Sequence, residues 1–224
     1  MYKNIIFDFD GTLNDSRDFT IATFVGIMKE RIKRNFNHYL SKDKREILQE
    51  VRTLTFRTLK ERFKLNLITF LKTNIRIQEL EYQFLVNNSK ETVLKELPFY
   101  NGMIELTEEL KKQGRNIYIL SSNKAKVIKY MLKLIGKEDL FIDINGETSL
   151  FGKEMKLRTF MSKHKMKKED TIYIGDESRD AYASKKVGIS IASVTWGYAN
   201  TKVLQLEKPT YICESVKELR KILL

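Results

Sequence analysis

The stretch Ile5-Ile6-Phe7-Asp8-Phe9-Asp10-Gly11-Thr12 decides the reading of this chain. Its apolar start predicts a buried strand, which runs directly into two carboxylates spaced by two, a glycine and a hydroxyl. Residues i and i+2 of an extended segment point to one side, so Asp8 and Asp10 are expected to converge at the strand's carboxyl end. Two such acids repel each other and resist desolvation, and so require a cation or a proton between them. Asp and Gly are also ordinary turn residues, so the rest of the chain has to decide between punctuation and chemistry.

Beyond Ser16 the pattern turns helical for about eighty residues. Asp15 or Ser16 can cap a helix carrying Phe24, Met28 and Ile32 at four-residue spacing, and Ser41 can cap a second with Ile47, Leu48, Val51 and Leu54 inward. Short segments at Leu59 to Phe63 and Leu67 to Leu71 and a long helix from Arg76 to Leu97 complete a bundle that contains no proline. Pro98 and Gly102 then punctuate a return to alternation. Strands are expected at Ile117–Leu120, Phe141–Ile144, Thr171–Ile174, Ile189–Val194 and Thr210–Cys213. Helices are expected at Met103–Lys112, Lys124–Ile135, Met155–His164, Ala181–Lys186 and Val216–Leu223. Strands alternating with helices imply a parallel sheet covered on both faces, with ligands at the carboxyl ends of its strands.

Composition narrows the function. A 224-residue chain with one cysteine excludes an intrachain disulfide framework and a multi-cysteine zinc site. Cys213 ends a late strand and reads as a small buried residue, while His38 and His164 lack neighbouring partners and read as surface groups. Any catalysis is therefore expected to run on carboxylates. No apolar run approaches the roughly 20 residues that span a bilayer, and the chain enters a strand too early for a signal peptide, so the expectation is a cytoplasmic protein with no membrane partner. The net charge of +12 raises a nucleic-acid partner. Between Lys29 and Lys64, basic residues outnumber acids by twelve to five, but without a stacking or recognition motif they read as solvated helix faces.

What each strand leaves at its end is more telling. The strand closing at Leu120 delivers Ser121, Ser122 and Asn123 ahead of a helix whose free N–H groups favour an anion. The strand closing at Ile174 delivers Gly175-Asp176-Glu177-Ser178-Arg179-Asp180, three acids within five residues. With Asp8 and Asp10 these form an oxygen-rich site suited to Mg²⁺. Gly152-Lys153 precedes a helix and offers a balancing cation.

These four segments resemble the four motifs of the haloacid dehalogenase-like hydrolase superfamily. Asp8-Phe-Asp10-Gly-Thr12-Leu-x-Asp15-Ser16 is similar to the first motif of its phosphatases, and Gly175-Asp176-Glu177-x-x-Asp180 to the fourth. Val194-Thr-Trp196-Gly197-Tyr198 resembles the loop of phosphoglycolate phosphatase-like members. The resemblance implies an α/β fold with a Rossmann-like parallel-sheet core, residues 1–15 and 98–224, and an all-α cap inserted after the first strand, residues 16–97. It implies Asp8 as nucleophile, forming an aspartyl-phosphate, and Asp10 as general acid and base. Ser121 and Lys153 would hold the phosphoryl oxygens, aided by Ser122, Gly11 and Thr12. Asp8, the Asp10 carbonyl and Asp176 would bind Mg²⁺, with Asp180 or Glu177 acting through water. Asp10 sets the chain apart from the dehalogenase branch. Ser121-Ser122-Asn123 departs from the commoner Thr-Asn, and Phe151-Gly152-Lys153-Glu-Met-Lys156 lacks the usual prolines, which leaves Lys156 as a second candidate for the lysine.

The expected activity is a Mg²⁺-dependent phosphatase, monomer or homodimer, for a small phosphomonoester such as phosphoglycolate, a nucleotide, a sugar phosphate or pyrophosphate, with the basic helical insertion as a lid. A phosphomutase of the β-phosphoglucomutase type and a nucleic-acid-associated phosphatase or binding protein are the alternatives.

Overall fold

The computed structural model of the chain describes residues 1–31, 67–146 and 152–224. The expected helices capped by Ser41 and at Leu59 to Phe63, His38 and Phe151 lie outside the described residues. The chain forms two compact units, one of residues Met1–Asp15 with Pro98–Leu224, the other of Ser16–Leu97.

The first unit is built on a six-stranded sheet. Its strands are β1 (Asn4–Phe7), β2 (Asn116–Leu120), β3 (Asp143–Asn145), β4 (Thr171–Gly175), β5 (Ser190–Val194) and β6 (Tyr211–Cys213). All pairs are parallel, in the order β3-β2-β1-β4-β5-β6. The order reverses at β1, whose neighbours are β2 and β4, and that is where an open parallel sheet leaves a crevice. The apolar runs explain the arrangement: β1 is buried along its whole length, so it must lie at the centre with both faces covered. Side chains alternate between faces. Ile6, Tyr118, Tyr173 and Ile191 join Leu157, Phe160 and Val187 in one core, and each such side chain removed from water stabilises the unit by about 1.5–3 kcal/mol.

The second unit holds helices α1 (Arg17–Arg31), α2 (Leu67–Asn87) and α3 (Lys90–Glu96). Helices α1 and α2 pack together, with the Phe19 and Phe84 rings 5.0 Å apart. The break expected near residues 72–75 falls instead at Asn88 and Ser89. Nothing interrupts the backbone ladder earlier, whereas Asn88 Nδ2 donates to the Phe84 carbonyl at 2.8 Å and the Ser89 hydroxyl accepts from Thr92 N–H, capping α3.

The first unit's helices are α4 (Met103–Lys112), α5 (Ala125–Leu134), α6 (Lys153–Lys163), α7 (Ser178–Val187), α8 (Thr201–Leu206) and α9 (Val216–Leu223). Several boundaries shift from the sequence reading: α7 begins at Ser178, three residues before the expected Ala181, and α8 was not expected. β3 begins at Asp143 because Phe141 turns into the core while Ile142, on the edge of the sheet, stays exposed. α6 begins at Lys153, two residues early, with Gly152 at φ +102° initiating it. Cys213 is buried at the end of β6. His164 is not a surface group. It caps the end of α6 with its ring 4.8 Å from Tyr118 and 4.7 Å from Phe160, and Nε2 lies 2.8 Å from Asp143 Oδ2. Burial raises the Asp143 carboxyl, yet Lys163 and His164 outweigh it and hold the carboxyl below its ordinary range. Among the described residues no helix is long and apolar enough to cross a membrane.

Candidate active site

Three strand ends deliver the site. The register pairing Phe7 with Ile119 and Ile174 places Asp8, Leu120 and Gly175 in one row, and Ser121 and Asp176 one step beyond. Asp8 is still tied to the sheet by its N–H on the Ile174 carbonyl, 2.8 Å. The chain then turns instead of extending: the Phe9 carbonyl accepts from the N–H groups of Thr12, Leu13 and Asn14. Asp10 therefore leaves the strand on a turn, half-buried, and not along the extended segment that i, i+2 spacing requires.

Asp8 is almost wholly buried, its Oδ1 accepting from Phe9 N–H and its Oδ2 from Lys153 Nζ, both at 2.7 Å. Lys153 also donates to Asp180 Oδ1, so one buried ammonium bridges acids from two strand ends. Burial alone would lower the lysine pKa, but Asp180 and Asp8 outweigh it and keep the ammonium charged. Lys156, one turn along α6, is exposed. Beneath Lys153 lies Tyr173, ring centroid 5.0 Å from Nζ, whose hydroxyl donates to the Leu120 carbonyl at 2.7 Å. No sequence signal singles out Tyr173, since a strand tyrosine is ordinary core.

The fourth segment divides its acids. Carboxylate oxygens of Asp8, Glu177 and Asp180 lie within 4.8 Å of one another. These hard oxygen donors fit a divalent cation of the Mg²⁺ kind. Glu177 and Asp180 also form a capping box at the start of α7, Asp180 Oδ2 accepting from Glu177 N–H at 3.0 Å. Burial pushes the Asp180 carboxyl up to about 6, with Lys153 opposing.

Asp176 lies beside this trio, with each oxygen already accepting a hydrogen bond. Its Oδ1 accepts from the Thr12 hydroxyl at 3.0 Å and its Oδ2 from Tyr198 N–H at 2.7 Å. The carboxylate is wedged between two glycines: a Cβ on Gly11, at φ +76°, would come within 2.2 Å of Oδ2, and one on Gly197 within 2.3 Å. Burial, then Glu177, Asp180 and Asp8, hold the Asp176 carboxyl well above its ordinary range. Gly11 and Thr12 thus serve the Asp176 carboxylate in this structure. Trp196 Nε1 donates to the Thr12 carbonyl at 3.3 Å, fixing the same loop.

Ser121 is buried and its Oγ accepts from Asn123 N–H at 3.2 Å, which leaves its proton to donate. Ser122 Oγ accepts from Arg179 Nη2 at 3.2 Å. Arg179 was not picked out from the sequence; an arginine at the start of a helix carries no signal until Ser122 is seen beside it. A separate cavity of about 820 Å³ lies within the helical unit, lined by Phe19, Thr23, Ile27, Ile75, Arg76 and Phe84 among others, and contains none of these acids.

Comparison with known proteins places the chain among known sequences and folds. The sequence model described as "Haloacid dehalogenase-like hydrolase" matches residues 5–194. A phosphoglycolate phosphatase of Synechococcus elongatus is 28% identical over 96% of this chain and 94% of its own length. The pyrophosphatase PpaX of Bacillus mycoides is 26% identical over 99% of this chain and 96% of its own. Among solved structures, a haloacid dehalogenase-like family hydrolase from Streptococcus pneumoniae superposes with a TM-score of 0.73 at 22% identity, covering 100% of this chain and 99% of that one, a likeness of fold.

Proposed function

The chain belongs to the haloacid dehalogenase-like hydrolase family, and on that footing we propose that this phosphatase hydrolyses a small phosphomonoester through an aspartyl-phosphate on Asp8. The observation that carries the reading is the buried Lys153 ammonium joining Asp8 to Asp180. It holds Asp8 Oδ2, while Oδ1, oriented by the Phe9 N–H, is the oxygen that attacks phosphorus. The same ammonium stabilises negative charge on the transferring group, and the Ser121 hydroxyl is free to donate to a phosphoryl oxygen. Asp10 protonates the leaving oxygen and then takes a proton from the water that hydrolyses the acyl phosphate. Asp8, Glu177, Asp180 and Asp176 are the acids that would hold Mg²⁺, with the Asp10 carbonyl. The ion, when bound, neutralises phosphoryl charge and orients that group.

The helical unit, Ser16–Leu97, is read as the cap that selects the leaving group. Phosphoglycolate is the first candidate substrate and pyrophosphate the second, in keeping with the names of the relatives. Asp8→Asn is expected to lower turnover of an aryl phosphate by at least about a thousandfold while the far-ultraviolet circular dichroism is unchanged. Retained turnover in that variant, free of wild-type enzyme, would refute the mechanism. A panel of small phosphomonoesters, with and without a chelator, identifies the substrate and the metal requirement.

A further inference from the structure

Arg179 is a cation of this site to which the four matched motifs give no role. It stands at the start of α7, with Nε donating to Glu177 Oε2 at 2.6 Å and Nη2 reaching both Glu177 Oε2 and the Ser122 hydroxyl. The third nitrogen, Nη1, is buried and has no hydrogen-bond partner among the described residues. Burial disfavours the guanidinium charge, but Glu177, Asp180 and Asp8 outweigh it. A buried, charged donor without a partner is costly, and in native structures it marks a place for a water or an ion.

The neighbours say which. Ser122 lies on the loop after β2 beside Ser121, a hydroxyl proposed to hold a phosphoryl oxygen. The acids Asp8, Asp10, Asp176, Glu177 and Asp180 outnumber the fixed cations Lys153 and Arg179, so an anion entering here needs every fixed cation available. A guanidinium presents a planar fork that matches phosphate and carboxylate oxygens. We infer that Arg179 binds an oxyanion of the substrate, offering Nη1–H next to the Ser122 hydroxyl to a phosphate or carboxylate oxygen. This rests on the phosphatase reading. The oxyanion has two sources: the transferring phosphoryl group, or a second anionic group such as the carboxylate of phosphoglycolate.

The test measures binding without turnover. Calorimetry in an Asp8→Asn background at saturating Mg²⁺ gives affinities for inorganic phosphate and for phosphoglycolate, with Arg179→Gln, Arg179→Lys or Glu177→Gln added. Arg179→Gln is expected to weaken binding by at least about tenfold, with Arg179→Lys recovering part of the loss. Loss for both ligands identifies the phosphoryl group as the oxyanion held; loss for phosphoglycolate alone identifies the second anion. Glu177→Gln removes a carboxylate proposed to hold Mg²⁺ as well as the partner of the guanidinium, and is expected to weaken Mg²⁺ binding in a parallel titration, a loss that Arg179→Gln does not share. Unchanged affinities in Arg179→Gln and Arg179→Lys overturn the inference, as does Arg179→Gln matching Glu177→Gln throughout, which makes Arg179 only a positioning residue for Glu177. Failure of the phosphatase reading is separate: there the enzyme with Asp8 intact turns over no phosphomonoester, whatever Arg179 does.

Discussion

At the residue scale the site depends on one ammonium. Lys153 is 4% exposed and sits between Asp8 and Asp180, both buried. Removing one partner of a buried ion pair costs about 3–5 kcal/mol, because the other is left charged without compensation. Lys153→Met keeps most of the apolar stem but removes the ammonium over the Tyr173 ring, and leaves two carboxylates without their cation. Activity is expected to vanish and the unfolding midpoint to drop by roughly 2–4 °C for each kcal/mol lost. Without the ammonium the Asp180 carboxyl, raised by burial, loses the charge that opposes its rise, so protonation of Asp180 relieves the defect in acid. The drop should therefore be smaller at pH 5 than at pH 8 in thermal scans of the metal-free protein. An equal drop at both values would mean that Lys153 acts by packing and not by charge.

At the element scale, much of the sheet was legible because apolar runs of three to five residues bounded by Gly, Asn or acids have one economical reading. Residues Ile5 to Phe7 and Thr171 to Ile174 announce strands, and the acids after them announce strand ends. What lay outside the sequence was information held between elements. Tyr173 looks like any core residue until Lys153 is over its ring, and the carboxylate that His164 meets, Asp143, lies 21 residues away in the chain. Helix α2 was misjudged because helical period alone gives phase and not continuity; the stop comes from the Asn88 and Ser89 side chains. The motif loops show a further dependence between elements. Gly197, after β5, gives the Asp176 carboxylate its room, since a Cβ there would stand 2.3 Å from the Asp176 Cβ. Gly197→Ala forces backbone and carboxylate apart, and a loss of about 1–3 kcal/mol is expected from overpacking. It should also lower the affinity for Mg²⁺, read by calorimetry, through a displaced Asp176. A variant with wild-type stability and metal affinity would show that this loop moves without consequence.

At the scale of the whole molecule, the site trades stability for chemistry. The Asp176 and Asp180 carboxyl pKa values are raised in the folded protein, Asp180 from 3.8 to about 6, primarily by burial. A folded acid with a raised pKa binds protons that the unfolded chain has already released. Its contribution to stability is therefore present below the ordinary carboxylate range and is lost as pH rises, for Asp180 between 3.8 and about 6. In the metal-free protein this contribution should therefore disappear between pH 4 and pH 6.5, read as a larger fall in unfolding midpoint over that range for the parent than for an Asp180→Asn variant. A divalent cation binding only the folded acids reverses the loss, by about 2.7 kcal/mol at a hundred times its dissociation constant. Asp176→Asn separates the two effects. The amide can still accept from Tyr198 N–H, and its NH₂ can donate to the Thr12 hydroxyl, so the hydrogen bonds survive while one buried charge disappears. In chelator at pH 8 its midpoint is expected to exceed that of the parent by a few degrees, while the Mg²⁺-induced rise shrinks and phosphatase activity is lost. A lower midpoint for Asp176→Asn in chelator would place the cost elsewhere and make Asp176 a structural group.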